Sequence, residues 1–143
     1  MDMQPALTSL PCLLFRYAFS IKHNLAKIAE TYDINVMQAF TLCALDEHGS
    51  IHMNQLGSLL YCDASHVTGI VERLHATGLL DRKECSSDRR LKELSLTAKG
   101  VAVRKDILEK LNTTCTAIST RLSHEEIIQL ESLLQKALQP KQS

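Results

Sequence analysis

The chain has 143 residues, 16 basic and 16 acidic side chains, 45% hydrophobic residues, and only five glycines and three prolines. This is enough apolar material for one ordinary domain with helical arms, and it excludes an intrinsically disordered chain. The scarcity of turn residues argues against a β-sandwich or barrel, and no run reaches the ~18 apolar residues of a membrane span. The opening Met1-Asp2-Met3-Gln4 has no basic stretch ahead of an apolar one, which predicts no secretory signal and a cytoplasmic protein.

The charge is zero in sum but uneven along the chain. It is −2 over residues 1–50, −1 over 51–71, +4 over 72–105 and −1 over 106–143. One basic block therefore sits between neutral or acidic flanks, the distribution expected where one segment faces phosphate.

Residues 8–31 read as a long helix, with Leu10, Leu14, Tyr17, Ile21, Leu25, Ile28 and Tyr32 on one stripe. Asn35 is placed to cap a second helix over 36–47, with Val36, Phe40, Cys43 and Ala44 inward and a stop at Gly49. Ile51 reads as extended. A short helix over 53–60 buries Leu56, Leu59 and Leu60. After Tyr61-Cys62-Asp63, Asp63 caps a helix running to about Thr77, with Val67, Ile70, Val71 and Leu74 inside and Gly78 ending it. Two short helices joined by three residues form a helix-turn-helix.

The period then changes from helix to strand. Residues 79–85 and 91–96 read as a hairpin with a polar tip, a wing on the helix-turn-helix. Thr97 caps a long helix to about Arg121, with a stripe of Val101, Leu108, Leu111, Cys115, Ile118 and Leu122. Ser123 and Glu126 form a capping box for a last helix over 124–138, which buries Ile127, Leu130, Leu134 and Leu138.

The cysteines, Cys12, Cys43, Cys62, Cys85 and Cys115, are scattered, with no Cys-x-x-Cys pair. Neither a disulfide framework nor a structural zinc site is expected, and their ordinary role is as small buried hydrophobes. Cys12 and Cys85 are the candidate redox thiols, Cys85 because Arg82 and Lys83 would lower its pKa. His48 and His52 straddle Gly49, so a helical metal pair is not expected. No catalytic motif and no Gly-rich phosphate loop is present, so neither an enzyme nor a cofactor is predicted.

The order of elements resembles the MarR family of bacterial transcription regulators over about residues 8–138. The resemblance is most specific in Asp63-Ala64-Ser65-His66-Val67-Thr68-Gly69-Ile70-Val71-Glu72-Arg73-Leu74, which looks like the family's recognition helix. Gly78-Leu79-Leu80-Asp81-Arg82 looks like its exit to the wing. Asp88-Arg89-Arg90 followed by Leu94-Ser95-Leu96-Thr97 looks like the wing signature. The resemblance implies a mainly α fold with a small β wing. It also implies a winged helix-turn-helix lobe at 35–97 and a helical dimerisation region from 1–34 and 98–143.

The resemblance implies that Ser65, His66, Thr68 and Gly69 face base edges in a major groove, while Arg73 meets a phosphate or pairs with a carboxylate. Gly69 departs from the long basic residue that many members carry. In the wing, Arg90 would probe a minor groove with Asp88 orienting it, and Lys83, Arg89 and Lys92 would meet phosphates. The partners so implied are a palindromic double-stranded operator, a second copy of the chain, and a small aromatic effector in a cleft lined by Tyr17, His23 and Tyr32. Phe40 is expected in the core. In one branch of the family a thiol near the start of the first helix senses hydroperoxides, which favours Cys12, with Tyr17 and Tyr32 to bond its oxidised sulfur. Gly69 and the neutral total also motivate a second class of function, a winged-helix interaction adaptor without specific DNA binding.

Overall fold

The computed structural model describes residues 8–114 and 120–139. Its elements, in order, are α1 (Leu10–Glu30), α2 (Val36–Ala44), β1 (Ile51–His52), α3 (Met53–Leu60), α4 (Ala64–Ala76), β2 (Leu80–Glu84), β3 (Lys92–Leu96), α5 (Ala98–Thr114) and α6 (His124–Leu138). The strands form one antiparallel sheet in the order β1-β3-β2, with Ile51 opposite Leu94 and Arg82 opposite Leu94 on the other edge. The mainly α, winged helix-turn-helix architecture is as the sequence predicts. Cys115 and Ile118, placed in the α5 stripe above, lie outside the described residues.

Local signals set most boundaries. Asn35 Oδ1 accepts the Gln38 N–H at 2.9 Å while Gln38 Oε1 accepts the Asn35 N–H at 2.9 Å, a reciprocal cap for α2. Ser123 and Glu126 do the same for α6. Gly78 takes φ 73°, the left-handed form that an L side chain resists. The core is one continuous cluster. Leu25, Ile28 and Ala29 of α1 and Ile107 of α5 pack with Leu42, Leu56, Val67, Ile70, Val71, Leu74, Leu80 and Leu94.

Several expectations about faces are corrected. α2 ends at Ala44 rather than 47, because Leu45 turns extended into the core and its carbonyl accepts the Arg104 Nε–H at 3.0 Å. The fully buried residues of its inner face are Gln38, Ala39, Thr41 and Leu42; Val36 and Cys43 pack half-buried against the core as expected, Ala44 is half-buried, and Phe40 is exposed. Two polar residues can occupy that face because each is satisfied locally: Gln38 in the cap, and Thr41 by donating to the Met37 carbonyl at 2.7 Å. Leu59 is exposed, since α3 turns only Leu56 and Leu60 inward. α5 turns Gly100, Val103, Ile107 and Leu111 to the core, so Leu111 is the described residue shared with the expected stripe. Among the described residues no α6 side chain is fully buried within one protomer: Ile127 and Leu130 are half-buried, and Leu134 and Leu138 are exposed. The first half of α1 is likewise uncovered, with Leu10 and Phe15 about two-thirds exposed and Phe19 stacked on Phe15.

Candidate nucleic-acid interface

The interface is built from α3, α4 and the β2–β3 wing. Asp63 starts α4 by accepting the His66 N–H at 2.8 Å and the Ser65 hydroxyl at 3.1 Å. The His66 N–H, then the Ser65 hydroxyl, hold the Asp63 carboxyl below its ordinary pKa, so the cap stays ionised. Val67, Ile70, Val71 and Leu74 clamp α4 to the core. The opposite side is left to solvent, with Ser65, His66, Gly69 and Arg73 exposed. Thr68 is half-buried and its hydroxyl already donates to the Ala64 carbonyl at 2.8 Å. A Cβ added at Gly69 would meet no atom within 4 Å, so this face is open at its centre.

Arg73 does not hang free. Its Nη2 donates to Asp33 Oδ2 at 3.2 Å, joining α4 to the turn after α1. Of the two alternatives read from the sequence, the carboxylate pairing is present in the DNA-free chain. Both side chains are solvated, so the pair is weak and exchangeable.

The wing is a two-strand ribbon with charged rungs. Lys83 stands opposite Glu93 and Glu84 opposite Lys92, and Lys92 Nζ lies 3.0 Å from Glu84 Oε1. Lys92 is therefore engaged along the ribbon. At the tip, Asp88 Oδ1 accepts the Arg90 backbone N–H at 3.0 Å, and Leu91 N–H donates to the Asp88 carbonyl at 3.0 Å. Asp88 thus shapes the turn through the main chain, rather than by holding the Arg90 guanidinium as predicted. Arg89 and Arg90 are exposed beside it.

The wing is locked to α4 through the start of α5. The Thr97 hydroxyl donates to the Gly78 carbonyl at 2.6 Å and accepts the Gly100 N–H at 3.0 Å. Thr97 N–H donates to the Leu79 carbonyl at 3.3 Å, and Lys99 Nζ to the Thr77 carbonyl at 3.1 Å. A Cβ at Gly100 would collide with the Leu79 carbonyl oxygen. This junction fixes the wing at a set distance from the recognition helix, an arrangement invisible in hydrophobic periodicity.

The other candidates are dispersed. Cys12 is half-buried in the first turn of α1. Cys85 is buried just past the end of β2, on the tip side of the wing, 3.1 Å from the Ser87 hydroxyl. Its thiol is pulled below the ordinary range by the Ser87 hydroxyl and by the N–H groups of Ser87 and Asp88, not by Arg82 and Lys83 as predicted. The structure does not bring Tyr17, His23 and Tyr32 together in one protomer. Tyr17 and His23 sit on α1 and, six residues apart, stand ~9 Å apart along its axis on different faces. Tyr32 lies past its end, where its hydroxyl accepts from Lys110 Nζ at 3.4 Å and its ring lies 5.3 Å from the same ammonium. Among the described residues, no cluster of three or more His, Cys, Asp or Glu is arranged to hold a metal ion.

A family model described as MarR family matches residues 34–92, the span that carries the helix-turn-helix and most of the wing. The HTH-type transcriptional repressor MdtR of Bacillus subtilis (strain 168) is 26% identical over 119 residues, 83% of this chain and 77% of the relative. The helix-turn-helix and wing of this chain are thus similar to those of the MarR family. The organic hydroperoxide resistance transcriptional regulator of the same organism is 26% identical over 127 residues, covering 89% of this chain and 85% of that one. A crystal structure of NadR in complex with 4-hydroxyphenylacetate superposes with a TM-score of 0.80 at 26% identity, over 96% of this chain and 97% of the other. The relatives it matches are named as transcriptional repressors or regulators.

Proposed function

We propose that the chain is a cytoplasmic homodimeric repressor that reads a palindromic operator with α4 and the wing tip. The observation that carries this is the rigid pairing of two exposed features: the open face of α4 from Ser65 to Arg73, and the Arg89–Arg90 tip held by the Thr97 and Gly100 junction. α4 presents Ser65, His66 and the Gly69 backbone to base edges. Arg73 exchanges Asp33 for a phosphate, Arg90 enters the flanking minor groove, and Lys83, Arg89 and Lys92 meet the backbone. Lys92 must share itself with Glu84 to do so.

Residues 1–34 and 98–143 supply the dimer. The uncovered apolar residues of α1 and α6, Leu10, Phe15, Leu133 and Leu138 among them, need a partner surface, and a two-fold copy offers the same patch in return. Two α4 helices then meet half-sites about one helical turn apart. Release follows from a small aromatic ligand lodged near Tyr17, His23 and Tyr32 with the partner chain completing the cleft, or from oxidation of Cys12 or Cys85. The ligand-bound NadR relative supports the first route and the hydroperoxide regulator the second.

Gel shifts with DNA from upstream of the chain's own gene test the reading. Salt-sensitive binding that needs both halves of a palindrome supports it. A soluble dimer that ignores that DNA at low salt and captures a defined protein partner instead would make it an adaptor.

A further inference from the structure

Tyr61 ends α3 in a conformation that a tyrosine resists. Its backbone is left-handed, at φ 52° and ψ 38°. Cys62 N–H donates to the Gly57 carbonyl at 3.1 Å and Tyr61 N–H to the Ser58 carbonyl at 3.4 Å. This is the paired closure that ends many helices, and its left-handed position is usually glycine because a Cβ crowds the next carbonyl. Asp33 is the other described non-glycine residue with positive φ, and its carboxylate is used on Arg73. The Tyr61 side chain is 91% exposed, so burial does not compensate for its strained backbone. A strained bulky residue at full exposure marks a place where function outweighs fold.

Its position says which function. Tyr61 is the hinge residue between the two helices of the helix-turn-helix, three positions before α4 begins at Ala64. It forms one wall of a groove of about 620 Å³ between α3 and α4, whose lining includes Met53, Asn54, Ser58, Ala64 and Thr68. Ala64 and Thr68 belong to the recognition helix, so the groove is continuous with the face assigned to DNA. In this motif the N-terminal residues of the second helix enter the major groove while the first helix crosses the backbone. A side chain at the end of the first helix therefore meets sugar and phosphate before it meets a base.

Resting on the DNA-binding reading above, we propose that Tyr61 is a DNA-backbone contact. Its hydroxyl donates to a phosphate oxygen at the border of the major groove, its ring lies against the adjacent deoxyribose, and the α3–α4 groove receives that strand. Tyrosine hydroxyls are among the usual donors to phosphate, and such contacts set register without reading sequence. The contact is uncharged, so it displaces no counterion.

The test compares wild type, Tyr61→Phe, Tyr61→Gly and Arg90→Ala on two fluorescein-labelled duplexes, one from upstream of the chain's own gene and one scrambled. Tyr61→Phe keeps the strain and removes the donor; affinity should fall about five- to tenfold on both duplexes. Tyr61→Gly removes ring and strain together. Affinity should fall tenfold or more while the melting temperature rises by about 3 °C. The slope of log affinity against log salt should match wild type in both variants and flatten in Arg90→Ala. A wild type that binds, with both Tyr61 variants binding equally well, overturns the Tyr61 contact and leaves the DNA-binding reading intact. A wild type that ignores both duplexes overturns that reading, and this contact with it.

Discussion

Gly69 offers the sharpest separation of fold from function. It sits inside the 13-residue α4, on the exposed side, and a Cβ there would meet nothing within 4 Å. Gly69→Ala should therefore cause no clash and should recover the helix propensity that glycine loses, about 1 kcal/mol per protomer. In a chain of this size that is a rise of about 3–4 °C in melting temperature. Gly69→Lys should be tolerated for the same reason and adds one cation to the centre of the proposed DNA face. Each added phosphate contact steepens the log affinity–log salt slope by ~0.9, so two protomers should steepen it by ~1.8. Differential scanning fluorimetry and fluorescence anisotropy across a salt series read both effects. A Gly69→Ala protein less stable than wild type would refute the open-face geometry. A Gly69→Lys protein with an unchanged slope would show that this face does not meet DNA.

Other substitutions probe the remaining parts. Arg90→Ala should weaken operator binding by about tenfold and leave thermal stability within ~0.5 kcal/mol of wild type, because the side chain is exposed at the wing tip; unchanged affinity would remove the wing assignment. Asp33→Asn should release Arg73 from its exposed pair, cost under ~0.5 kcal/mol of stability, and raise DNA affinity about twofold by anisotropy. Gly100→Ala should destabilise by roughly 2–3 kcal/mol in urea denaturation, since the new Cβ collides with the Leu79 carbonyl. The Asp63 carboxyl is held below its unfolded value, so its contribution is complete above pH ~3.9 and is lost as pH falls through the lower folded value. Asp63→Asn should flatten the acid limb of the stability–pH curve in that window, and an unaltered limb would contradict the cap.

The parts of the fold legible in sequence are those with local causes. Asn35, Asp63, Thr97 and Ser123 announce their helices because each side chain satisfies a free N–H within three residues. The apolar face of α4 repeats without interruption, so Val67, Ile70, Val71 and Leu74 are read correctly. Where the pattern misleads, a long-range partner decides. α2 is apolar on several sides, and Gln38 and Thr41 disguise its buried face because their polar atoms are satisfied within the helix. The α5 stripe faces α1 and α2 through Val103, Ile107 and Leu111, which only the packed structure selects. α6 reads as a buried amphipathic helix, yet among the described residues its apolar face is at most half-covered within one protomer.

The candidate site divides in the same way. Ser65, His66, Gly69 and Arg73 follow from helix geometry once the Asp63 cap is seen. The Arg73–Asp33 pair, the Lys92–Glu84 rung and the Asp88 bond to the Arg90 main chain link separate elements or depend on the turn's exact path, and spacing alone cannot supply them. Tyr61 was missed as a site residue. Its signal is a bulky residue where the turn between two short helices calls for glycine, which carries meaning only once the left-handed backbone is measured.

The measurement that bears most directly on the whole account is the affinity of the wild-type chain for its own upstream palindrome, titrated between about 50 and 200 mM salt. Two protomers making roughly four phosphate contacts each predict two chains per duplex and a log–log slope near −7, with binding collapsing when one half-site is scrambled. A single chain bound per duplex, or a slope near zero, or indifference to the second half-site would contradict a dimer reading DNA with two recognition helices and two wings.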